Sequence, residues 1–352
     1  MKRGILRVIF INFLSVALLF WGGFSYFSPK AEAPVIRKEE KTQNVNTVPE
    51  KEEEKVAEKE TESTEKEETK TESSEAVSSE QATEVSAEAV KGQIISQYNS
   101  PYLAPSSYNG VYLKNNSGLN ISIKKYLEGK INFKIKKKSE PQVLILHTHA
   151  TETFKTDDKD YFTDKFSSRS NNTAQNMVSV GEIVAEKLNA SGIKTLHDTT
   201  LHDYPSYSNS YSRSAATVKD YLKKYPSIKV VLDLHRDAVT KENGDKVKLV
   251  TEIGGKKAAQ VMLVMGSQSG SVTNFPKWEE NFKLAVRLQQ TIEKKYPTLA
   301  RPLMLMSKTY NQNLTTGSLL IEFGTDVNTL SEVHYSAEMI GESLAELLST
   351  LE

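Results

Sequence analysis

The 352-residue chain contains no cysteine. That absence excludes a disulfide framework, thiolate zinc sites, iron–sulfur clusters and cysteine nucleophiles. Histidine is scarce, at six residues, so each can be weighed individually as a ligand or a base. Between Ser28 and Tyr98 there is no aromatic residue at all. Net charge is also missing, because 45 basic residues balance 45 acidic ones, yet the balance is not local. Residues 39–91 hold 17 Glu and 7 Lys, whereas residues 1–38 carry about +5 and residues 92–352 about +5. An acidic spacer is thus followed by a mildly basic stretch long enough for one α/β domain.

The N-terminus reads as an anchor. Lys2, Arg3 and Arg7 precede residues 8–27, twenty positions without a charge. Twenty apolar residues span a bilayer core as a helix, and the basic tip stays on the cytoplasmic side. Trp21, Tyr26 and Phe27 fall where an outer aromatic belt belongs. A cleavable signal peptide is the competing reading. The length of the run and the poor cleavage sequence Ser28-Pro29-Lys30 count against it. Residues 1–29 are therefore expected to be a cytoplasmic tip and single membrane span, placing the bulk of the chain outside the cytoplasm. Residues 30–91, rich in Glu, Lys, Ser and Thr, are expected to form a disordered linker, because they bury too little apolar surface to offset ordering entropy.

Residues 92–352 read as one domain of repeated strand–helix units, with a less regular preamble over 92–141. Residues 142–146 (QVLIL), 193–196, 228–234 (IKVVLDL) and 318–323 (SLLIEF) are short apolar runs typical of strands buried on both faces. Residues 176–188, 212–225, 278–296 and 332–351 have helical spacing, with Gly192 as a helix stop. Gly254-Gly255 separates strand-like residues 246–253 and 260–265, which predicts a hairpin. The expected fold class is α/β, a mostly parallel sheet flanked by helices.

In open α/β sheets, function gathers at the carboxyl ends of strands. The first buried run ends in His147-Thr148-His149-Ala150-Thr151-Glu152, the third in Asp233-Leu234-His235-Arg236-Asp237 and the last in Glu322-Phe323-Gly324-Thr325. His149, Glu152 and His235 make a two-imidazole, one-carboxylate set with no thiolate, the composition of a catalytic Zn²⁺ site that keeps a position for water. Bound zinc lowers the pKa of its water and polarises a carbonyl. Glu322 is placed to act as general base, since a carboxylate after four apolar residues is costly unless paired or metal-associated. Each residue has a plainer alternative: solvated histidines in a turn, a satisfied strand-end His235, or an ion pair between Glu322 and Arg236.

The segments VLILHTHATETF, LDLHRDA and LLIEFGTDVNT, with HDTTLHDYPSYSNSY and MLMSKTYNQNLTTGSLLIEFG, resemble the stage II sporulation protein P family. The resemblance implies a membrane-anchored, zinc-dependent peptidoglycan hydrolase, similar in fold to zinc-dependent N-acetylmuramoyl-L-alanine amidases and zinc carboxypeptidases. It further implies cleavage of the N-acetylmuramoyl-L-alanine amide and of peptide cross-links during forespore engulfment, beside the lytic transglycosylase stage II sporulation protein D. The family's ligand His maps onto His235 and its Glu onto Glu322. At the first strand, His149 aligns with the ligand position and Glu152 follows, but His147 remains an alternative ligand. His197 and His202 form a second cluster able to bind substrate or join the metal shell, while His334 is expected to be structural. Arg236 is a candidate for holding a substrate carbonyl or carboxylate, with Asn328 and Tyr310-Asn311-Gln312 weaker candidates. A non-catalytic anchored scaffold or peptidoglycan-binding module is the alternative function. A carboxypeptidase would share the metal site but needs a cationic pocket that sequence does not locate.

Overall fold

The computed structural model describes residues 89–137 and 140–352. The expected anchor, residues 1–29, and nearly all of the expected linker, residues 30–91, lie outside the described residues. The described part begins with strands β1 (Val90–Gln97), β2 (Ser106–Tyr108) and β3 (Val111–Asn116), then helix α1 (Ile123–Glu128). Next come β4 (Val143–Leu146), β5 (Tyr161–Thr163), α2 (Met177–Ala190), β6 (Thr195–His197), α3 (Ser210–Lys224) and β7 (Val230–Asp237). Strands β8 (Lys246–Ile253), β9 (Lys256–Ala259) and β10 (Val261–Gly266) precede α4 (Trp278–Lys295), β11 (Leu303–Met306), β12 (Ser318–Thr325) and α5 (Leu330–Ser349). Among the described residues, no helix is long and apolar enough to cross a membrane.

Eight strands form the main sheet in the order β2-β3-β11-β10-β12-β7-β4-β6. Only the β2–β3 and β10–β12 pairs are antiparallel, so the mixed α/β fold is mostly parallel, as expected. Its central strands are apolar on both faces because helices cover both. Val143 and Ile145 of β4, with Val230, Leu232 and Leu234 of β7, enter the large core under α2, α4 and α5. Leu144, Leu146 and Val231 enter a smaller core with Val218 of α3. Helix α2 starts where the Asn176 side chain accepts the Val178 N–H, and it buries Met177, Val180, Val184 and Leu188 at the 3.6-residue period. Helix α5 starts at a capping box between Thr329 and Glu332.

A second sheet, β5-β1-β8-β9, was not anticipated from sequence. Residues 92–141, expected to be an irregular preamble, supply β1 to that sheet and β2 and β3 to the edge of the main one. Strand β1 starts at Val90, two positions inside the expected linker. The Gly254-Gly255 hairpin is present, but its second arm is β9, which pairs Val250 with Ala259 and Ile253 with Lys256. Strand β10 then leaves for the main sheet. Gly254 and Gly255 have φ of +56° and +75°, the left-handed region that favours glycine and sets this turn.

Leu232 is fully buried at the middle of β7. Leu232→Ala should lower unfolding stability by about 2–5 kcal/mol through lost burial and a residual cavity. Denaturant unfolding of the full chain tests this; a change below about 1 kcal/mol would mean β7 does not carry the core.

Candidate functional site

Three strands bring the polar groups together. In the parallel pairing of β12 with β7, Glu322 lies opposite His235 and Leu320 opposite Asp233. Period-two alternation puts Asp233, His235 and Glu322 on the α3-side face. Strands β7 and β12 both run past the ends expected from sequence, so His235 lies within a strand rather than just beyond one, while Glu322 lies within its strand as expected.

At the end of β4 a turn changes the register. Thr148 donates its N–H (2.8 Å) and its hydroxyl (2.7 Å) to the Asp233 carboxylate, and Glu152 N–H closes the turn on His149 O at 3.1 Å. His149 is thereby carried beside His235, ring centroids 5.3 Å apart and nearly perpendicular. Glu152 Oε2 lies 3.8 Å from His235 Nδ1 and accepts the Arg236 N–H at 3.1 Å. His235 Nε2 lies 2.9 Å from Asp233 Oδ1, yet off the hydrogen-bonding line, so that buried nitrogen completes no hydrogen bond. His149, Glu152, His235 and Glu322 therefore converge.

Charge in this cluster is unbalanced. Burial acts to lower the His235 pKa, but Asp233, Glu152 and Glu322 outweigh it and push the imidazole up to about 10. Burial pushes Glu322 up to about 7, with Glu152 adding to the rise, and leaves its Oε2 without a partner. His149 is driven the other way, to about 4, by burial and by His235. A neutral ring, a carboxylate, and a second ring braced by Asp233 are the donor types of a zinc site, with the carboxylate–imidazole pairing typical of its outer contacts. Donor chemistry and the call for positive charge both fit a cation. Among the described residues, however, no three such side chains close into a ready coordination shell. His149 holds its Nδ1 3.4 Å from Ser210 Oγ and stacks on Tyr207 at 4.6 Å.

The remaining candidates are placed elsewhere. His147 continues the Val143–Ile145 side of β4, so it points under α2, away from His149. Its Nδ1 donates to Leu234 O at 3.1 Å, and its Nε2 meets His197 Nε2 at 2.9 Å. His197 also faces Glu182 at 3.2 Å. His202 is buried, with Nδ1 on His147 O at 2.8 Å and Nε2 against Thr217 at 2.9 Å. His334 joins α5 to α2 through Ser179 at 2.9 Å. Arg236 has a task different from substrate holding. Its Nε donates to Thr153 O (3.2 Å) and its Nη2 to Ser168 O (2.6 Å), which fixes backbone. Gln312 is bound to Gly266 N–H and Val264 O, and Asn328 to Thr325 N–H and Leu249 O, so both are structural. Asn311 donates to Tyr211 O. Tyr310 reaches the margin of the cluster, its ring 6.4 Å from that of Tyr211.

Sequence reasoning missed Asp233, Tyr207, Tyr211 and Arg169. Asp233 carried a signal, being two residues before His235 and hence on its face of β7. Tyr211 stacks on His235 at 6.4 Å, and Arg169 lies 3.7 Å from Glu152 Oε1; nothing local in the sequence announces either.

A mixed α/β protein with buried histidines and carboxylates gathered on neighbouring parallel strands is the class these observations define. The sequence model of the family described as Stage II sporulation protein P (SpoIIP) matches residues 25–345. The chain belongs to that family. It is 32% identical over 216 residues to the Stage II sporulation protein P of Bacillus subtilis (strain 168), covering 58% of this chain and 50% of that protein. The chain thus spans about half the length of this curated relative. Solved structures it resembles include an N-acetylmuramoyl-L-alanine amidase from Clostridium difficile 630, at 14% identity and TM-score 0.36 over 60% of this chain and 97% of that one. Another is the CwlD amidase of Clostridioides difficile in complex with the GerS lipoprotein, at 11% identity and TM-score 0.39 over 59% and 99%.

Gly181 of α2 faces the His147–His197 contact, and a Cβ there would stand 2.4 Å from His197 Nε2 and 2.6 Å from His147 Nε2. Alanine inside a helix ordinarily stabilises by about 0.5–1 kcal/mol over glycine. Here Gly181→Ala should instead destabilise by about 1–3 kcal/mol through overpacking. A thermal melt that rises for this variant would show that the histidine pair is not packed against α2.

Proposed function

We propose that this chain is a peptidoglycan hydrolase acting in sporulation, with its chemistry at His149, Glu152, His235 and Glu322. The observation that carries the reading is the buried cluster of Asp233, Glu152 and Glu322 around one imidazole, an arrangement that calls for a bound cation. Membership of the stage II sporulation protein P family supports the sporulation context and the wall substrate. In this reading His149, Glu152 and His235 hold Zn²⁺ and Asp233 braces His235 from behind. Bound there, the ion supplies Lewis acidity toward an amide carbonyl and toward water.

The protein's own groups do the rest. Glu322 takes the proton of the attacking water at its unpartnered Oε2 and delivers it to the departing amine nitrogen. A carboxylate whose pKa is lifted toward 7 is suited to both halves of that transfer. Arg236 keeps Glu152 in place through its backbone N–H. The N-acetylmuramoyl-L-alanine amide and peptide cross-links are the proposed bonds. Residues 1–29 are the proposed single-pass membrane anchor, which puts the hydrolase outside the cytoplasm and beside its partner, stage II sporulation protein D.

Digestion of purified peptidoglycan by the full chain, followed by mass analysis of the fragments, tests the activity and names the bond. Chelation should abolish lysis and zinc should restore it; a chain that binds wall without releasing fragments would be a scaffold. His149→Ala and His235→Ala should each lose zinc by elemental analysis, whereas His147→Ala should keep it. If His147→Ala loses zinc while His149→Ala retains it, the ligand assignment is reversed.

Glu322→Gln fills the same volume but cannot accept a proton. It should retain zinc and fold while turnover falls by about 10²–10⁴-fold. Loss of zinc from this variant would make Glu322 a ligand, and near wild-type turnover would remove it from the mechanism.

A further inference from the structure

The lysine-rich stretch at residues 124–138 has no part in the chemistry above. It holds seven lysines and one glutamate, a charge of +6, against about +5 for the whole of residues 92–352. Folding carries the end of this stretch to the foot of the main sheet. Lys136 donates its N–H to Gln142 Oε1 at 3.2 Å, and Gln142 stands immediately before β4. Gln142 in turn donates its N–H to Lys194 O (2.8 Å) and accepts the Lys229 N–H at its own carbonyl (2.8 Å). Lys194 precedes β6 and Lys229 precedes β7, and both strands run parallel to β4. These lysines therefore gather at the amino ends of the strands, the pole opposite His149, His235 and Glu322.

The last turns of α3 add Lys219, Lys223 and Lys224, tied to this pole where Ser227 Oγ donates to Pro141 O at 2.7 Å. Several carboxylates nearby are already engaged. Glu352 pairs with Lys137 at 2.6 Å, and Lys134 donates to its terminal oxygen at 3.2 Å. Glu279 and Glu280, at the start of α4, are matched by Lys125 (3.0 Å) and Lys283 (2.8 Å). Glu140, Asp220 and Glu186 remain, against Lys136, Lys194, Lys219, Lys223, Lys224 and Lys229. None of those six lysines makes an ion pair among the described residues, and Lys229 Nζ meets only the Pro226 carbonyl at 3.1 Å. Helix C-termini favour lysine, which accounts for Lys223 and Lys224 but not for Lys136, Lys194 and Lys229, which lie outside helices.

We propose that this lysine pole is the docking surface for residues 71–88 of the same chain, folded back onto the domain. That stretch holds Glu72, Glu75, Glu80, Glu84 and Glu88 and no basic residue, so its charge complements the pole. Its reach is sufficient. Eighteen residues extend to about 60 Å, whereas a domain of about 260 residues is roughly 45 Å across. Covalent attachment holds the segment at an effective concentration in the millimolar range, which favours it over any separate polyanion. Exposed ion pairs are individually weak, so the docking is a sum over several of them and is screened by salt. The spacer then approaches the domain at the foot of the sheet, and His149, His235 and Glu322 face away from the side on which residues 1–29 lie. The proposal is independent of the chemistry assigned to those three residues.

The test is zero-length carbodiimide coupling of Glu to Lys in the full chain, held in phosphatidylcholine vesicles, with the cross-links mapped by mass spectrometry. At about 0.01 M salt, Glu72, Glu75, Glu80, Glu84 and Glu88 should couple to Lys136, Lys194 and Lys229 severalfold more than to Lys241. The excess should vanish near about 1 M, where the screening length falls to about 3 Å. Lys241 is the stringent control. Its N–H bonds Asp245 O, and the Asp245 side chain holds Gln93 N–H at 3.0 Å, so an undirected spacer joined at Val90 meets that loop first. Lys223→Glu combined with Lys224→Glu, both exposed, should cut coupling to the untouched Lys136 and Lys229 severalfold while circular dichroism is unchanged. Preference for Lys241, or coupling indifferent to salt and to the double variant, overturns the proposal. Cross-links between isotopically labelled and unlabelled chains would assign the pole to a second copy. Loss of coupling in phosphatidylglycerol vesicles would assign it to lipid headgroups. Either result also overturns docking within the chain.

Discussion

The carboxylate of Asp233 is the contact on which the candidate site depends. It accepts two hydrogen bonds from Thr148 and lies against His235, so one buried side chain on β7 fixes both the turn after β4 and the ring beside it. A buried carboxylate is costly unless its lone pairs are satisfied, and these partners satisfy it while holding it ionised. Farther along the same turn Asp203 accepts the Thr151 N–H (3.1 Å) and hydroxyl (2.6 Å), so the two carboxylates together bring His149 and Glu152 onto the face of His235. Sheet register does the rest, placing Glu322 opposite His235 through the parallel pairing of two buried strands.

The two arginines near Glu152 divide labour by the face they occupy. Arg236 follows His235 by one position, and so lies on the opposite side of β7, where backbone carbonyls take up its guanidinium. Those carbonyls belong to Thr153 and Ser168, the two ends of the excursion that runs from Glu152 to Arg169. Arg169 comes from the excursion itself and approaches Glu152 from there. One arginine thus closes a loop, and the other joins Asp203 to the neighbourhood of Glu152.

Much of this was legible in the sequence, for identifiable reasons. The runs that became β4, β7 and β12 are apolar on both faces, which only a sheet covered on both sides explains. Their polar ends then stood out. The strand limits were read short because His235, Arg236 and Asp237, like Gly324 and Thr325, look like loop residues, although they remain in the paired strands β7 and β12. The choice between His147 and His149 depends on a turn held by Asp233, which strict alternation does not foretell. The four-stranded sheet escaped notice because β1 is joined to β8 by contacts more than 150 residues apart in sequence, with mixed polarity on both strands. Lys256 and Lys257 hid β9 in the same way. Arg169 and Tyr211 reach the site through tertiary folding alone.

The pairing of β1 has a mechanical consequence. Ile94 to Gln97 run parallel to Lys246 to Leu249, and Phe162 and Tyr161 flank β1 on its other edge. Tension applied to the chain ahead of Val90 acts along the strand axis, at right angles to the hydrogen bonds on both edges. Such a load strains the bonds together in shear, rather than opening them one after another as a zipper. The first described strand after the acidic spacer is therefore built to take a pull without letting go, and it passes the force to β5 and β8, the strands paired on its two edges.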